Sequence, residues 1–352
     1  MKALSLLTLS LHLVCVQLLI GSLVAILCFS LSGSGSNSAA RKTAAHVLAR
    51  RTTLIMTYVI NLGIPPLLFA QVLYGRALYT SSVLMAAFWI SIIPLLMACY
   101  WLLYRIVDRT SRGVSPILQT VLALGLAMSV GRLLSYNMTL MLRPEVWYGM
   151  YARTATGTHL PPSDPTSTPR WAFVMIGSLL ATGLWMILHS GLQTIEDDTK
   201  ALLRKTGAVL ALLGGLGEIT LGYLVFAAQP SYVQIGLQSN AFYKVSAMIW
   251  AAGAVIAVLL SLTRINAKTY NLWLTLVGCV SGFLSLAGAV LVRDGIRDLT
   301  LGHKGFDVWD RHVVSNWGVL GIFFALFVIT LGVIGWLLLV MRQAKPISEQ
   351  VA

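Results

Sequence analysis

Three ionisable side chains lie inside long apolar stretches of this sequence, where such a group needs a specific partner. They are His12, Arg132 and Glu218. Placing one at the centre of a bilayer costs at least about 2.5–3.5 kcal/mol, so it indicates pairing, ligand binding or proton transfer. A neutral imidazole inside a helix bundle is a natural axial ligand for haem iron. It can equally hydrogen-bond a neighbouring helix, and both interpretations of His12 stay open.

Arg132 and Glu218 have several possible partners. Arg132 shares one predicted helix face with Ser135 and Tyr136, and a buried guanidinium there favours a carboxylate, a carbonyl cluster or a cofactor propionate. Glu218 lies within the glycine-rich stretch 214–222, whose glycines allow another helix to approach closely. Glu218 is therefore predicted either to pair with Arg132 or to stay protonated and serve a proton path.

Two further arginines lie next to the end of an apolar run. Arg293 and Arg297 are four residues apart, which places them on one helix face at the predicted membrane surface. Such a pair can clamp a haem propionate, a quinone head group or a partner protein. Anchoring at the membrane interface is the simpler alternative.

Several other function classes find no support in the sequence. The four cysteines form no Cys-x-x-Cys pair, and no hydrolase or Walker motif occurs. The formal net charge is +13, but the basic residues lie between apolar runs. That placement is typical of short loops on a membrane protein, so nucleic-acid binding is not predicted.

Composition predicts the elements that hold these side chains. With 57% hydrophobic and 11% charged residues and a mean hydropathy of +0.80, most side chains must face lipid. A helix needs about 20 apolar residues to cross a bilayer. The sequence therefore predicts an all-α polytopic bundle of about nine transmembrane helices, a single integral membrane domain over 1–352, in a bacterial inner (cytoplasmic) membrane. The predicted helices cover 4–32, 53–75, 80–104, 115–142, 171–192, 206–228, 242–263, 270–292 and 317–341.

Loop charge and loop length predict the arrangement of these helices. Lys and Arg are more frequent in one set of alternate loops, which places the N-terminus outside and the C-terminus in the cytoplasm. The segments 143–170 and 293–316 then lie outside. The very short link at residues 75–76 predicts a tight hairpin between the second and third helices.

Four segments of the chain resemble subunit I of the cytochrome bd quinol oxidases. His12, followed nine residues later by a glycine, is similar to that family's first helix, and residues 60–75 are similar to its second. Residues 173–183 resemble the fifth helix, and residues 246–248 occupy the place of the family's Arg-x-Met. The resemblance implies that His12 ligates a high-spin haem b. It also implies that Met248 is one ligand of a low-spin haem b.

The chain also departs from that family at the sites of its chemistry. Met175 stands where the family has the histidine of its low-spin haem, and 80–104 contains no acid. The family's eighth-helix glutamate has no equivalent in the residues just before Arg293. The quinol-binding loop is shortened to 229–241. Because a dioxygen site needs acids to deliver protons, the resemblance implies electron transfer without oxygen reduction. The implied partners are a quinone, a c-type cytochrome outside the membrane, and other subunits of a membrane redox complex.

Two other functions stay open. A cofactor-free anchor or assembly subunit would keep the same fold only as a packing surface for a larger complex. A secondary transporter would use Arg132 and Glu218 near mid-membrane, with Pro65 and Pro66 breaking the second helix. No inverted repeat is visible in the sequence to support the transporter.

Overall fold

The computed structural model describes residues 1–31, 38–192, 195–267, 269–306 and 317–343. Within these ranges the chain is helical and has no strand, which confirms the all-α prediction. The helices are α1 (Lys2–Leu31), α2 (Ser38–Leu84), α3 (Ala86–Ser111), α4 (Ile117–Leu140), α5 (Pro144–Arg153), α6 (Ser167–Leu192), α7 (Asp197–Ala227), α8 (Ser231–Ser239), α9 (Ala241–Arg264), α10 (Leu272–His303) and α11 (Trp317–Gln343). The chain divides into two compact units, Met1–Val308 and Trp309–Ala352, and α11 belongs to the second.

Eight of the described helices are long and apolar enough to cross a membrane, namely α1 to α4, α6, α7, α9 and α10. Large apolar side chains on these helices are exposed, for example Trp101 at 62% and Leu259 at 56%. Exposed apolar surface of this extent requires lipid rather than water around it. The protein is therefore an integral membrane protein, while the total of nine spans and the orientation stay predictions.

The predicted second and third helices do pair side by side, since Thr57 Oγ1 lies 2.9 Å from the Tyr100 hydroxyl and His46 Nδ1 lies 3.0 Å from Thr110 Oγ1. The very short turn predicted at residues 75–76 is wrong, because a further helical segment follows a kink at Tyr74. α2 runs on to its last residue at 84, and within it only Tyr74 leaves helical geometry, with φ −126° and ψ 23°. The break before α3 comes at Met85 instead. The segment after the kink stays helical because side chains such as Leu78 pack against the end of α4. Pro65 and Pro66 also lie inside this helix without ending it.

The helix α10 also extends further than its apolar run predicts. It continues for about three turns beyond residue 292, to His303. Arg293 and Arg297 therefore lie within this helix, and the location of the segment 293–316 outside the membrane stays a prediction. The extension is stable because its polar side chains find partners on α1 and α2, as described below. Residues 307–316 of that predicted segment lie outside the described residues.

The helices α1, α6 and α7 form the centre of the first unit. α1 contacts α2, α4, α6 and α10, whereas α6 packs closely along α7. Gly183 of α6 faces Gly207 of α7, and a methyl group on Gly207 would lie 2.7 Å from the Gly183 carbonyl oxygen. Small residues at such a contact let two backbones approach. This close approach positions the later turns of α7 against α6.

Candidate functional site

Glu218, on α7, is only 2% exposed. Groups from four other helices surround its carboxyl group. The Ser285 hydroxyl of α10 lies 3.5 Å from Glu218 Oε1. The Trp250 indole of α9 borders the same carboxyl, although its N–H makes no hydrogen bond of good geometry. Gly177 of α6 leaves room for the site, since a methyl group there would lie 3.3 Å from Glu218 Oε2 and 2.8 Å from Gln17 Nε2 of α1.

The predicted ion pair between Glu218 and Arg132 is not formed. Arg132 donates a hydrogen bond to the Thr168 hydroxyl at 3.0 Å. Its guanidinium lies 4.3 Å from the ring centre of Tyr136 and 5.5 Å from that of Trp171, so cation–π contacts replace a carboxylate. The two helices are also not neighbours, because α7 packs against α6, α9 and α2 rather than α4. In the described part of the chain no basic group lies within 4 Å of the Glu218 carboxylate.

A line of buried polar side chains leads from Glu218 toward one end of the bundle. Ser178 and Thr182 lie on α6 just beyond the glycine that faces Glu218, and both are fully buried. Gly21 of α1 packs against both of them, and the next residue, Ser22, is buried with a hydroxyl oxygen that has no hydrogen-bond partner. About 10 Å along α6 from Thr182, the buried His189 Nε2 is likewise without a partner. These groups form a polar path through an otherwise apolar interior.

The opposite end of the bundle, called here the Lys2 end, carries a buried ionic network. The Lys2 ammonium pairs with Asp294, at 3.0 Å, and with Asp298. The Tyr74 hydroxyl donates to Asp294 at 3.2 Å and to Asp298 at 2.9 Å. Arg297 pairs with Asp294, and its guanidinium lies 3.8 Å from the ring centre of Tyr74. The network therefore joins α1, α2 and α10.

Of the two arginines predicted to act as a clamp, Arg297 contacts Asp294 and Tyr74, while the binding of a ligand or partner by the pair stays a prediction. Arg293 is half-buried and has no carboxylate within 4 Å among the described residues. Two positive charges repel the Arg293 guanidinium, that of Arg297 and that of Arg170 on α6. The structure thus brings Arg293 together with an arginine that the sequence analysis did not select.

A second, more exposed group of charges lies at the Lys2 end on α5. The Lys304 ammonium donates to Glu145 at 2.6 Å and to the Leu142 carbonyl at 2.9 Å. Arg143 lies 3.5 Å from both Glu145 and Asp164. Partial burial alone raises the pKa of Glu145, but the hydrogen bond from Lys304 and the charges of Lys304 and Arg143 more than offset that effect. The pKa of Glu145 is therefore lower than usual.

His12, the predicted haem ligand, lies in the contact between α1 and α2. Its ring packs on Gly63, where a methyl group would be 3.0 Å from Cε1 and 3.2 Å from Nδ1. One ring nitrogen interacts with the Val59 carbonyl, and Nδ1 is buried without a hydrogen-bond partner. An unpartnered nitrogen suits a metal ligand. However, protein atoms already cover Nδ1, so this packing leaves an iron ion no approach to it.

The two methionines predicted beside a haem have different surroundings. Met248 is 61% exposed on α9, which indicates a lipid-facing position. Met175 is buried on α6, and its Cε would lie 3.3 Å from a methyl group on Gly131 of α4. Neither methionine faces His12, whose ring contacts α2. The residues present therefore do not fit a haem held in the way that the family resemblance implies.

The sequence analysis missed Lys2, Tyr74 and Arg170 as members of polar clusters. One available signal was the spacing of three between Asp294 and Arg297, which is typical of a pair within one helix. Another was the position of Arg170, two helical turns before the glycine beside Glu218 and on the same face of α6. Nothing local to Lys2 or Tyr74 indicates a partner on α10.

No protein-family model matches this chain, and no curated protein matches it significantly. The likeness to the cytochrome bd subunit therefore depends on the sequence segments alone. Fold and site together define an all-helical integral membrane protein with a buried carboxyl group among its central helices.

Proposed function

We propose that this chain is a membrane subunit of a redox complex and that its chemical task is proton transfer at Glu218. The observation that carries the proposal is the position of that carboxyl group. It lies among α1, α6, α7, α9 and α10, with no basic group within ion-pair distance in the described residues. An ionisable side chain kept inside a membrane bundle is typical of a proton relay or a ligand site.

The surroundings of Glu218 suit a group that holds and releases a proton. Burying an unpaired carboxylate costs far more than burying a neutral carboxylic acid. The Ser285 hydroxyl at 3.5 Å and the Trp250 indole are polar neighbours without charge. The polar path along Ser178 and Thr182 provides hydroxyl groups between Glu218 and the far end of the bundle. In this proposal these hydroxyl groups are part of the route by which protons reach the site.

The redox part of the proposal comes from the family resemblance. A quinol releases protons together with its electrons when it is oxidised, so a complex that exchanges electrons with a quinone needs protonatable side chains. In this proposal the haem groups belong to other subunits or to a c-type cytochrome. This chain contributes the membrane bundle and the proton-transferring carboxyl group. In this proposal the helix bundle is what the chain retains of the cytochrome bd subunit that it resembles.

The central experiment compares Glu218→Gln with Glu145→Gln in the purified complex reconstituted into liposomes. Quinol-driven proton movement is followed with a pH-sensitive dye, and folding is checked by thermal unfolding. Glu218→Gln keeps the shape of the side chain but removes its acid, and we expect at least about a hundredfold slower proton transfer. Glu145→Gln, an acid at the Lys2 end, should leave the rate unchanged. A folded Glu218→Gln protein with the full rate contradicts the proposal.

Two further measurements separate the alternatives. The absorption spectrum of the purified chain, oxidised and reduced, should show no Soret band of its own. A band that is lost in His12→Ala but kept in His159→Ala, a loop histidine, would assign a haem b to this chain instead. Uptake of a substrate coupled to protons, by the chain alone and without any quinol, would identify a secondary transporter.

A further inference from the structure

Among the residues that the structure describes, the Lys2 end holds more positive than negative charge. Most of these charges pair with one another, yet six basic side chains lie near only four acidic ones, an excess of two positive charges. The basic members are Lys2, Arg143, Arg170, Arg293, Arg297 and Lys304, and the acidic members are Glu145, Asp164, Asp294 and Asp298. Buried charges in proteins are normally paired. The excess therefore indicates that an anion belongs to this end of the bundle.

The excess charge lies on Arg170 and Arg293. Asp294, the acid next to Arg293 in sequence, is already engaged by both Lys2 and Arg297. Arg170 donates a hydrogen bond to the Gln229 side chain at 2.9 Å, and the acid that attracts it is Asp164. Each of the two guanidinium groups therefore keeps donors that no carboxylate occupies.

The two arginines meet around the end of α7. Val225 and Phe226, in the last turn of α7, pack in one cluster with Val292 of α10. Gln229 follows that turn directly and holds Arg170, while Arg293 follows Val292. Two guanidinium groups close enough to repel each other are stabilised when an anion lies between them. Both side chains are half-buried, so a ligand can still reach them.

We infer that Arg170 and Arg293 bind a phosphate group, and that an anionic phospholipid of the surrounding membrane supplies it. A guanidinium forms paired hydrogen bonds with phosphate oxygens, which makes arginine well suited to such a ligand. Basic pockets between transmembrane helices are a recognised type of site for anionic lipid head groups. The site does not depend on proton transfer at Glu218.

A phospholipid suits the neighbouring surface better than a free ion. The helices α8 and α9 pack on the same turns of α10, through Gly236 against Leu299 and Tyr243 against Gly295. Their outer face is apolar, with Ile235 64% exposed and Phe242 57% exposed. An acyl chain can cover this face while its phosphate lies against the arginines.

The test measures lipid affinity in the purified full-length protein. Native mass spectrometry and thermal unfolding are carried out with phosphatidylglycerol, with phosphatidylcholine and with inorganic phosphate. The variants are Arg170→Gln and Arg293→Gln, and the matched control is Arg153→Gln, an exposed arginine on α5. We expect phosphatidylglycerol to bind best, and each test variant to weaken its binding about tenfold, because a charged hydrogen-bonding partner is lost. Arg153→Gln should bind as the wild type does.

The outcomes separate the sources of the phosphate. Stabilisation by inorganic phosphate that matches the lipid effect and also needs both arginines supports a phosphate site but assigns it to the free ion. Equal binding of phosphatidylglycerol by both test variants and by Arg153→Gln overturns the inference. Should the Gln variants fail to fold, the double variant Arg170→Lys with Arg293→Lys keeps the charge but not the paired geometry. It should still bind the lipid several-fold more weakly, and unchanged binding would again overturn the inference.

Discussion

The closest contact between α6 and α7 provides a quantitative test of the packing that positions Glu218. In Gly183→Ala the new methyl group would overlap the Gly207 carbonyl oxygen and the Ala211 amide nitrogen, and would lie 2.8 Å from Ala211 Cβ. Two of these atoms belong to the backbone, so the helices must separate to make room. Overpacking of this kind costs about 1–3 kcal/mol. Replacing a helical glycine by alanine returns up to about 1 kcal/mol, so Gly183→Ala should be about 1–3 kcal/mol less stable than a helical Gly→Ala variant whose new methyl group meets no other atom.

The control for that substitution is Gly125→Ala on α4. Gly125 is exposed, and a methyl group there meets nothing within 4 Å. It therefore gains only the helix-propensity benefit of up to about 1 kcal/mol. Both variants are unfolded with denaturant in detergent micelles, with tryptophan fluorescence as the readout. If Gly183→Ala proves as stable as Gly125→Ala, the α6–α7 contact described here is incorrect, and with it the enclosure of Glu218.

Two further predictions concern the Lys2 end and the methionines. Burial raises the pKa of Glu145, but its contacts with Lys304 lower that pKa more. The pair therefore stabilises the fold above the unfolded pKa of about 4.3, and this contribution is lost as the pH falls through the lower folded pKa. The stabilities of the wild type and Glu145→Gln, from melting curves, should differ by less than about 1 kcal/mol near neutral pH and coincide in acid; a constant difference would contradict this. Met175→Ala should cost about 2–5 kcal/mol because Met175 is buried, whereas the exposed Met248→Ala should stay within about 0.5 kcal/mol, and equal losses in chemical denaturation would refute these positions.

Local sequence predicted most helices within a few residues but failed where packing outweighs local signals. The prediction of a turn at residues 75–76 took a single glycine as a break. In the structure the chain kinks next to it, at Tyr74, but stays helical to residue 84 because Leu78 and its neighbours are buried against α4, so the connection to α3 is longer than predicted. In the same way the apolar run ends at residue 292, whereas α10 continues because Asp294 and Arg297 are paired inside the bundle.

The candidate site was partly predictable for the same reason. Glu218 could be selected from sequence, because an acid in an apolar helix stands out whatever its neighbours are. Its partners could not be selected, since Ser285 and Trp250 come from helices that are distant in the chain. The predicted partner, Arg132, instead contacts two aromatic rings and the Thr168 hydroxyl.

The sequence by itself determined that the protein is a bundle of helices in a membrane, because hydropathy and helix length are local properties of consecutive residues. Tertiary structure alone decided which polar side chains meet. Lys2 lies in α1 and Asp294 in α10, far apart in the sequence. They nevertheless pair at 3.0 Å because these two helices are neighbours. The order of helices around the bundle is set by the fit of small and large side chains over the whole molecule. No window of consecutive residues contains that information.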